Sequence, residues 1–417
     1  MVKKNITTAK PTLKRNLSLI LVTFYGLGNI LGAGIYVLVG KVAGEAGYFA
    51  PLSFTIASII AAISAFTYAE LSARYPVSAG EAVYLYEGFG FKSLSLIVGL
   101  MITLAGIVST AVIAHGFSGY MQVFFDLPQW LMITLMLSVL GGLAVWGIKQ
   151  SVQVAAFLTL TEIIGLLIII FVGVDQLPVL THVMEQSVQN KVDVSIADFS
   201  LLGVFSGAFL AFYAYIGFED MVNVAEEVKD PQRTMPKAII YSVIISTLLY
   251  SIVSLVAVSV LSPVELANST APLADVYLQA TGKAPVVITV IGVFAVINGA
   301  LIQIIMAARL LYGMSSKGWL PGFFSEINAL TRTPINSTLV TVISMLILAL
   351  GFAMVALVEF TSYLVLSVFA LVNLSLIKIK LRQVQVKGVR VYPLWVPVLG
   401  LITIVIFLMI ELGAKVF

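Results

Sequence analysis

Cysteine is absent from the 417 residues, and histidine occurs only twice, at His115 and His182. Disulfides, thiolate metal sites and cysteine nucleophiles are therefore excluded, and two distant imidazoles leave little for a metal centre. With no such cluster and no nucleophile set beside a base, an enzyme is not supported and no cofactor is expected. Charge is scarce as well. Asp, Glu, Lys and Arg make up 10% of the chain, against about 25% in a soluble domain. A net charge of +3 is too small to suggest nucleic acid. What fills the sequence instead is apolar: 60% of residues are hydrophobic and the mean hydropathy is +1.07. This composition implies an all-α polytopic membrane protein with the lipid bilayer as its solvent.

A spanning helix needs about 20 apolar residues, and on that rule the chain holds about eleven segments. They are 17–40, 48–73, 93–120, 130–147, 152–174, 199–226, 237–261, 285–313, 335–357, 359–377 and 393–413. The basic start (Lys3, Lys4, Lys10, Lys14, Arg15) runs into an apolar stretch too long for a signal peptide and without a small-residue cleavage site. Residues 1–16 are thus expected to be a cytoplasmic tail. Most Lys and Arg then share the side of the N-terminus; only Lys41, Lys191, Lys283 and Lys415 fall on the other. The positive-inside rule places the N-terminus in the cytoplasm, and an odd number of crossings places Phe417 outside. The loop 175–198 is polar and could form an external lid. The stretch from Ser262 to Ala284 carries Pro263, Pro272 and Gly282 and suggests a short surface helix. The run from Arg74 to Phe91 mixes aromatics with Glu81 and Glu87 and suits an interfacial amphipathic helix.

Two segments are poor continuous helices. The first contains Gly26, Gly28, Gly32 and Gly34, and each glycine costs about 1 kcal/mol against alanine in a helix. Such a stretch either packs closely against small residues or opens its backbone to a cavity. The sixth segment is interrupted at Gly217, followed directly by Glu219 and Asp220. The first runs outward and the sixth inward, each with its irregularity about midway. That pattern points to inverted repeats of five helices, each opening with a broken helix, with a boundary near 174 in the first repeat (17–174) and a second repeat over 199–377. A cytoplasmic loop at 378–392 and an additional helix within 393–417 complete this division. Free N–H groups at half-helix ends suit an anion, and freed carbonyls suit a cation. A molecule carrying both a carboxylate and an ammonium, such as an α-amino acid, fits that arrangement.

The run Phe212-Tyr-Ala-Tyr-Ile-Gly-Phe-Glu219, followed by Ala225-Glu-Glu-Val-Lys-Asp-Pro-Gln-Arg233, resembles the sixth-helix signature of the amino acid–polyamine–organocation (APC) permeases. Gly28-Asn-Ile-Leu-Gly-Ala-Gly-Ile-Tyr36 resembles their first helix, Tyr68-Ala-Glu-Leu71 their second, and Ala308-Arg-Leu-Leu-Tyr312 the end of their eighth. The match is collinear over residues 15–335. It implies the LeuT-like inverted-repeat fold, 5+5 helices with helices 1 and 6 broken, and secondary transport of amino acids or amines across the cell membrane by alternating access. Many relatives carry twelve helices, where about eleven are expected here.

By this resemblance, Gly32, Ala33 and Gly34 would offer backbone amides to a substrate carboxylate. Carbonyls near Ile30, Tyr213, Ala214 and Ile216 would receive its amino group, and Tyr213 would close over it from the outer side. Tyr215 has a weaker claim. Gln303 either bonds a substrate side chain or bridges helices, and Asn29 and Asn298 are expected to be interhelical ties. Glu162 stands in the middle of the fifth segment, where several proton-coupled relatives place a lysine. Its expected role is to carry a coupling proton; the alternative is a protonated glutamate bonded between helices. The eighth segment near Met306 lacks the paired hydroxyls of sodium-coupled members, so a proton is favoured over sodium. Glu219 and Asp220 are candidate gate residues against Arg309, the alternative being that they only face inner water, while Glu70 is expected to cap or pair near Arg74. With few midplane carboxylates, a neutral or small amino acid is favoured. Exchange of amino acids and uptake of polyamines or organic cations are the alternatives.

Overall fold

The computed structural model describes residues 17–32, 34–77, 80–146, 152–177, 200–328, 331, 333–382 and 388–416. The N-terminal tail, Ala33, most of the expected lid at 175–198, and His182 lie outside the described residues. Regular structure among the described residues is helical, apart from one bridge between Leu17 and Val228. This is what a bilayer demands of a spanning chain, because a helix satisfies its own backbone groups where water cannot. Among the described residues, eight helical stretches are long and apolar enough to cross a membrane, and the first of them, Leu19–Arg74, is itself divided into three α-helices.

The first expected segment is split into α1 (Leu19–Leu31) and α2 (Gly34–Ala46), and the second is α3 (Ala50–Arg74). The short α4 (Gly80–Phe89) leads to α5 (Lys92–Gln122), α6 (Gln129–Trp146) and α7 (Val152–Gly173). The sixth segment is α8 (Leu201–Tyr213), a non-helical turn, and a 3-10 stretch over Glu219–Glu227. Then follow α9 (Pro231–Val260), the surface helices α10 (Pro263–Asn268) and α11 (Pro272–Thr281), and α12 (Val286–Ser316). The chain closes with α13 (Ile335–Gly351), α14 (Met354–Leu381) and α15 (Trp395–Val416).

Each expected segment contains a helix, but several details differ. The ninth ends at Gly351 rather than 357, because Phe352 and Ala353 are extended and α14 begins at Met354. The stretch after α9 holds two short helices rather than one. Ser262 and Glu265 form a capping box on α10, and Gly282 ends α11 in the left-handed region at φ 66°. The stretch is also more than a surface helix: α10 packs on α2, and the Leu266 carbonyl lies against Gly40. On α4 the inward face is Glu81, Tyr84, Leu85 and Gly88, while Tyr86 and Glu87 are exposed. Each face of this helix thus carries both an aromatic and an acidic side chain.

Glu70 pairs with Arg74, as its spacing suggests, but the pair belongs to a larger network. Arg74 Nη2 stands 2.8 Å from Glu70 Oε1, and Lys380 Nζ of α14 stands 2.7 Å from Oε2. The backbone N–H of Tyr392 donates to the same Oε2 at 2.8 Å. One buried carboxylate thus ties α3, α14 and the segment before α15 together.

The broken helices sit at the centre. α2 is buried along most of its length and packs on α8, while α1 packs on α7 and α9. Near one end of the bundle, Leu17 N donates to Glu227 O and Lys229 N donates to Leu17 O, pinning the start of α1 to the end of the sixth segment.

Candidate functional site

The two breaks meet each other. A Cβ added to Gly34 would stand 2.6 Å from Cα and Cβ of Ala214. A Cβ on Gly217, whose φ of 127° favours glycine, would stand 2.7 Å from the carbonyl carbon of Asn29. Each break therefore carries a glycine at the point where the other passes, and neither glycine position has room for a side chain.

Opening a helix frees backbone groups, and the fold supplies partners for several of them. Tyr250 of α9 donates to the Ile30 carbonyl at 2.6 Å and lies 3.1 Å from the Ala214 carbonyl, so one hydroxyl serves both broken helices. The Gly217 N–H donates to Glu219 Oε2 at 2.8 Å. Glu219 thus closes the break in its own segment. Tyr250 was missing from the sequence reading; an aromatic inside a long apolar run carries no local sign of such a role.

Beside the breaks lies a cavity lined by Asn29, Ile30, Gly34, Ser109, Ile113, Tyr213, Ile216, Gly299 and Gln303. Of the expected site residues, it brings together Ile30, Gly34, Tyr213, Ile216 and Gln303. Ala33 lies outside the described residues. Gly32 is buried against Ala295 and Gly299 of α12, and Ala214 against Gly34, so each sits behind the lining. Tyr215 is turned away. Its hydroxyl donates to the Phe54 carbonyl of α3, and its ring packs on Tyr250 at 5.2 Å. Tyr213 spans the cavity: its hydroxyl is 2.8 Å from Ser109 Oγ and donates to the Ser109 carbonyl at 3.1 Å. Ser109 is a second residue the sequence reading missed, since helices of this chain carry many serines and only the packing of α5 on α12 selects this one.

A second cavity adjoins the first through Ser109, Ile216 and Gln303. Its lining includes three carboxyls, Glu81, Glu219 and Asp220, and no Lys or Arg. Gln303 Nε2 donates to Asp220 Oδ2 at 3.0 Å, so Gln303 links the two cavities. Glu81 Oε1 and the hydroxyls of Tyr68 and Tyr84 have no hydrogen-bond partner among the described residues. Burial pushes the Glu81 carboxyl up to about 8, which keeps it protonated at neutral pH. Arg309 is exposed, and Asp220 takes Gln303 rather than Arg309 as its bonded partner.

Glu162 lines neither cavity. It is fully buried behind α1, with Oε1 3.5 Å from Asn298 Nδ2 and Oε2 without a hydrogen-bond partner among the described residues. Tyr36 of α2 donates to its backbone carbonyl at 2.7 Å, which couples this turn of α7 to the second half of the first broken helix. No group of His, Asp and Glu among the described residues could hold a metal ion.

A family model described as "Amino acid permease" matches residues 17–415. The chain is 32% identical to "Cationic amino acid transporter 4, vacuolar" of Arabidopsis thaliana, over 82% of this chain and 59% of that protein. It is 27% identical to "Branched-chain amino acid permease BcaP" of Bacillus subtilis (strain 168), over 98% of this chain and 90% of that protein. It is 27% identical to "Cationic amino acid transporter 4" of Homo sapiens, over 90% and 61% respectively. The chain spans about three-fifths of the length of the plant relatives it matches.

Proposed function

Because this chain belongs to the amino acid permease family, within the APC superfamily, we propose that it moves amino acids across a membrane by alternating access. The observation that carries this reading is the meeting of two broken helices at one cavity lined by Ile30, Gly34, Tyr213, Ile216 and Gln303. In this reading the carboxylate of the substrate takes backbone amides of the Gly32–Gly34 break, the Gly32 N–H giving up its present bond to the Gly28 carbonyl. Its ammonium takes carbonyls that Tyr250 now occupies, and Tyr213 closes the outer side against Ser109. The inverted repeats 17–174 and 199–377 rock against each other around this site. The N-terminus lies in the cytoplasm, Phe417 lies outside, and the cell membrane is the host bilayer.

The side chain of the substrate is open to two readings. A neutral amino acid follows from the apolar upper lining, Ile30, Ile113 and Ile216. The three buried carboxyls below favour a second reading, in which a cationic side chain reaches past Gln303 toward Asp220 and Glu81. Three carboxyls sharing one cavity cannot all ionise without a cation, and an arginine or lysine side chain would supply one. Names among the relatives support each class. A thermal-shift panel of amino acids and amines on purified protein tests both. A ligand at 100 times its Kd stabilises the folded state by about 2.7 kcal/mol. Stabilisation by leucine or valine supports the first reading and by arginine or lysine the second; a response to polyamines alone overturns the amino acid assignment.

Glu162 is proposed as the carrier of the coupling proton, because its free oxygen lies on a turn tied to α2 by Tyr36. Under an imposed gradient of about one pH unit, one coupled proton is worth about tenfold accumulation. Glu162→Gln is expected to lose that factor while still exchanging substrate across proteoliposomes. Unchanged pH-driven accumulation in this variant would remove Glu162 from the mechanism.

A further inference from the structure

We propose that the groove between the start of α9 and the segment preceding α15 binds the headgroup of an anionic phospholipid, with its acyl chains lying along α9 and α3. The groove is lined by Arg233, Lys237 and Arg390 together with Tyr241 and Tyr392, and its lining holds no carboxylate. The nearest acid on the same helix end, Asp230, lies 3.8 Å from Arg233 with both side chains largely exposed, a contact worth little. Glu70, which reaches Tyr392 from below, is already saturated by Arg74 and Lys380. Three cations therefore line one groove with only this exposed contact to an acid, which suits a phosphodiester.

Cations alone would take any small anion. The apolar surface beside them selects a lipid. Tyr241, Ile244, Leu248 and Ile252 form one stripe at helical spacing on α9, exposed by 46, 50, 58 and 42%. α3, on which both α9 and α15 pack, exposes Ile59. Further along it, Phe66 sets its ring 5.1 Å from that of Tyr392. The stripe thus runs from the groove toward the bundle middle, where acyl chains would lie, and two tyrosines mark the headgroup level.

The test uses delipidated, purified full-length protein in detergent and follows its thermal stability. Phosphatidylglycerol is expected to raise it, while phosphatidylcholine and inorganic phosphate at equal concentration are not. The triple variant Arg233→Gln, Lys237→Gln, Arg390→Gln is expected to bind phosphatidylglycerol on the order of a hundred-fold more weakly, at roughly a factor of five per basic residue. Lys92→Gln, exposed at the start of α5 and outside the groove, should leave binding unchanged. Equal responses to the two lipids, a shift reproduced by phosphate, or a triple variant binding like wild type would each overturn the proposal. The wild-type lipid comparison decides the matter even if the triple variant fails to purify.

Discussion

Gly217→Ala is expected to abolish substrate uptake and to destabilise the protein by about 2–5 kcal/mol, combining backbone strain with overpacking. At φ 127° an alanine is strained whatever the space. Its methyl would also meet the carbonyl carbon of Asn29 at 2.7 Å and the oxygen at 2.8 Å, atoms of a backbone that cannot yield as a side chain can. The loss would move through the site. Asn29 and Ile30 line the cavity, and Tyr250 holds the Ile30 carbonyl, so pushing this backbone displaces both the cavity wall and its tie to α9. Thermal unfolding in detergent together with uptake into proteoliposomes measures both effects. Gly313→Ala is the control: it lies in α12 with nothing within 4 Å of an added Cβ. There the same change should be neutral or stabilising by up to about 1 kcal/mol. Wild-type uptake and stability in Gly217→Ala would show that the two breaks need not interlock.

Glu70→Ala is the second large effect, a loss of about 3–5 kcal/mol from removing the carboxylate that two buried cations share. The side chains of Arg74 and Lys380 are only 3 and 9% exposed, so neither can recover the missing interaction by turning to water. The Tyr392 N–H loses its acceptor at the same time. Chemical or thermal unfolding of the purified variant reads this cost. The double variant Glu70→Ala, Lys380→Met should recover part of it, because it removes one of the two buried cations that lose their carboxylate. A single variant within about 1 kcal/mol of wild type would mean that the network contributes no more than a surface ion pair. The consequence for transport is mechanical: α3, α14 and the chain entering α15 would lose their shared anchor at this end of the bundle.

The sequence by itself determined the helical content, the segments of the bundle and the positions of both breaks. Each of these is enforced locally. Bilayer thickness sets how many apolar residues a crossing needs, and unpaired backbone is too costly in lipid for any spanning form other than a helix here. Glycine content then marks where that helix cannot continue. Ile30, Gly34, Tyr213 and Ile216 lie at or near such marks, and they and Gln303 were singled out through the family resemblance. Tertiary structure alone decided which polar side chains join them. In a membrane protein the outward faces are as apolar as the core, so periodicity does not reveal which side of a helix looks inward. For that reason Tyr215, inside the motif, turned to α3, while Tyr250 and Ser109, outside it, became partners of the breaks. It also brought Glu81 from a loop helix to the cavity of Glu219 and Asp220. The pairing of Gly34 with Ala214, and of Gly217 with Asn29, was decided the same way. A glycine can mark a break locally, but the backbone that needs its missing side chain lies about 180 residues away.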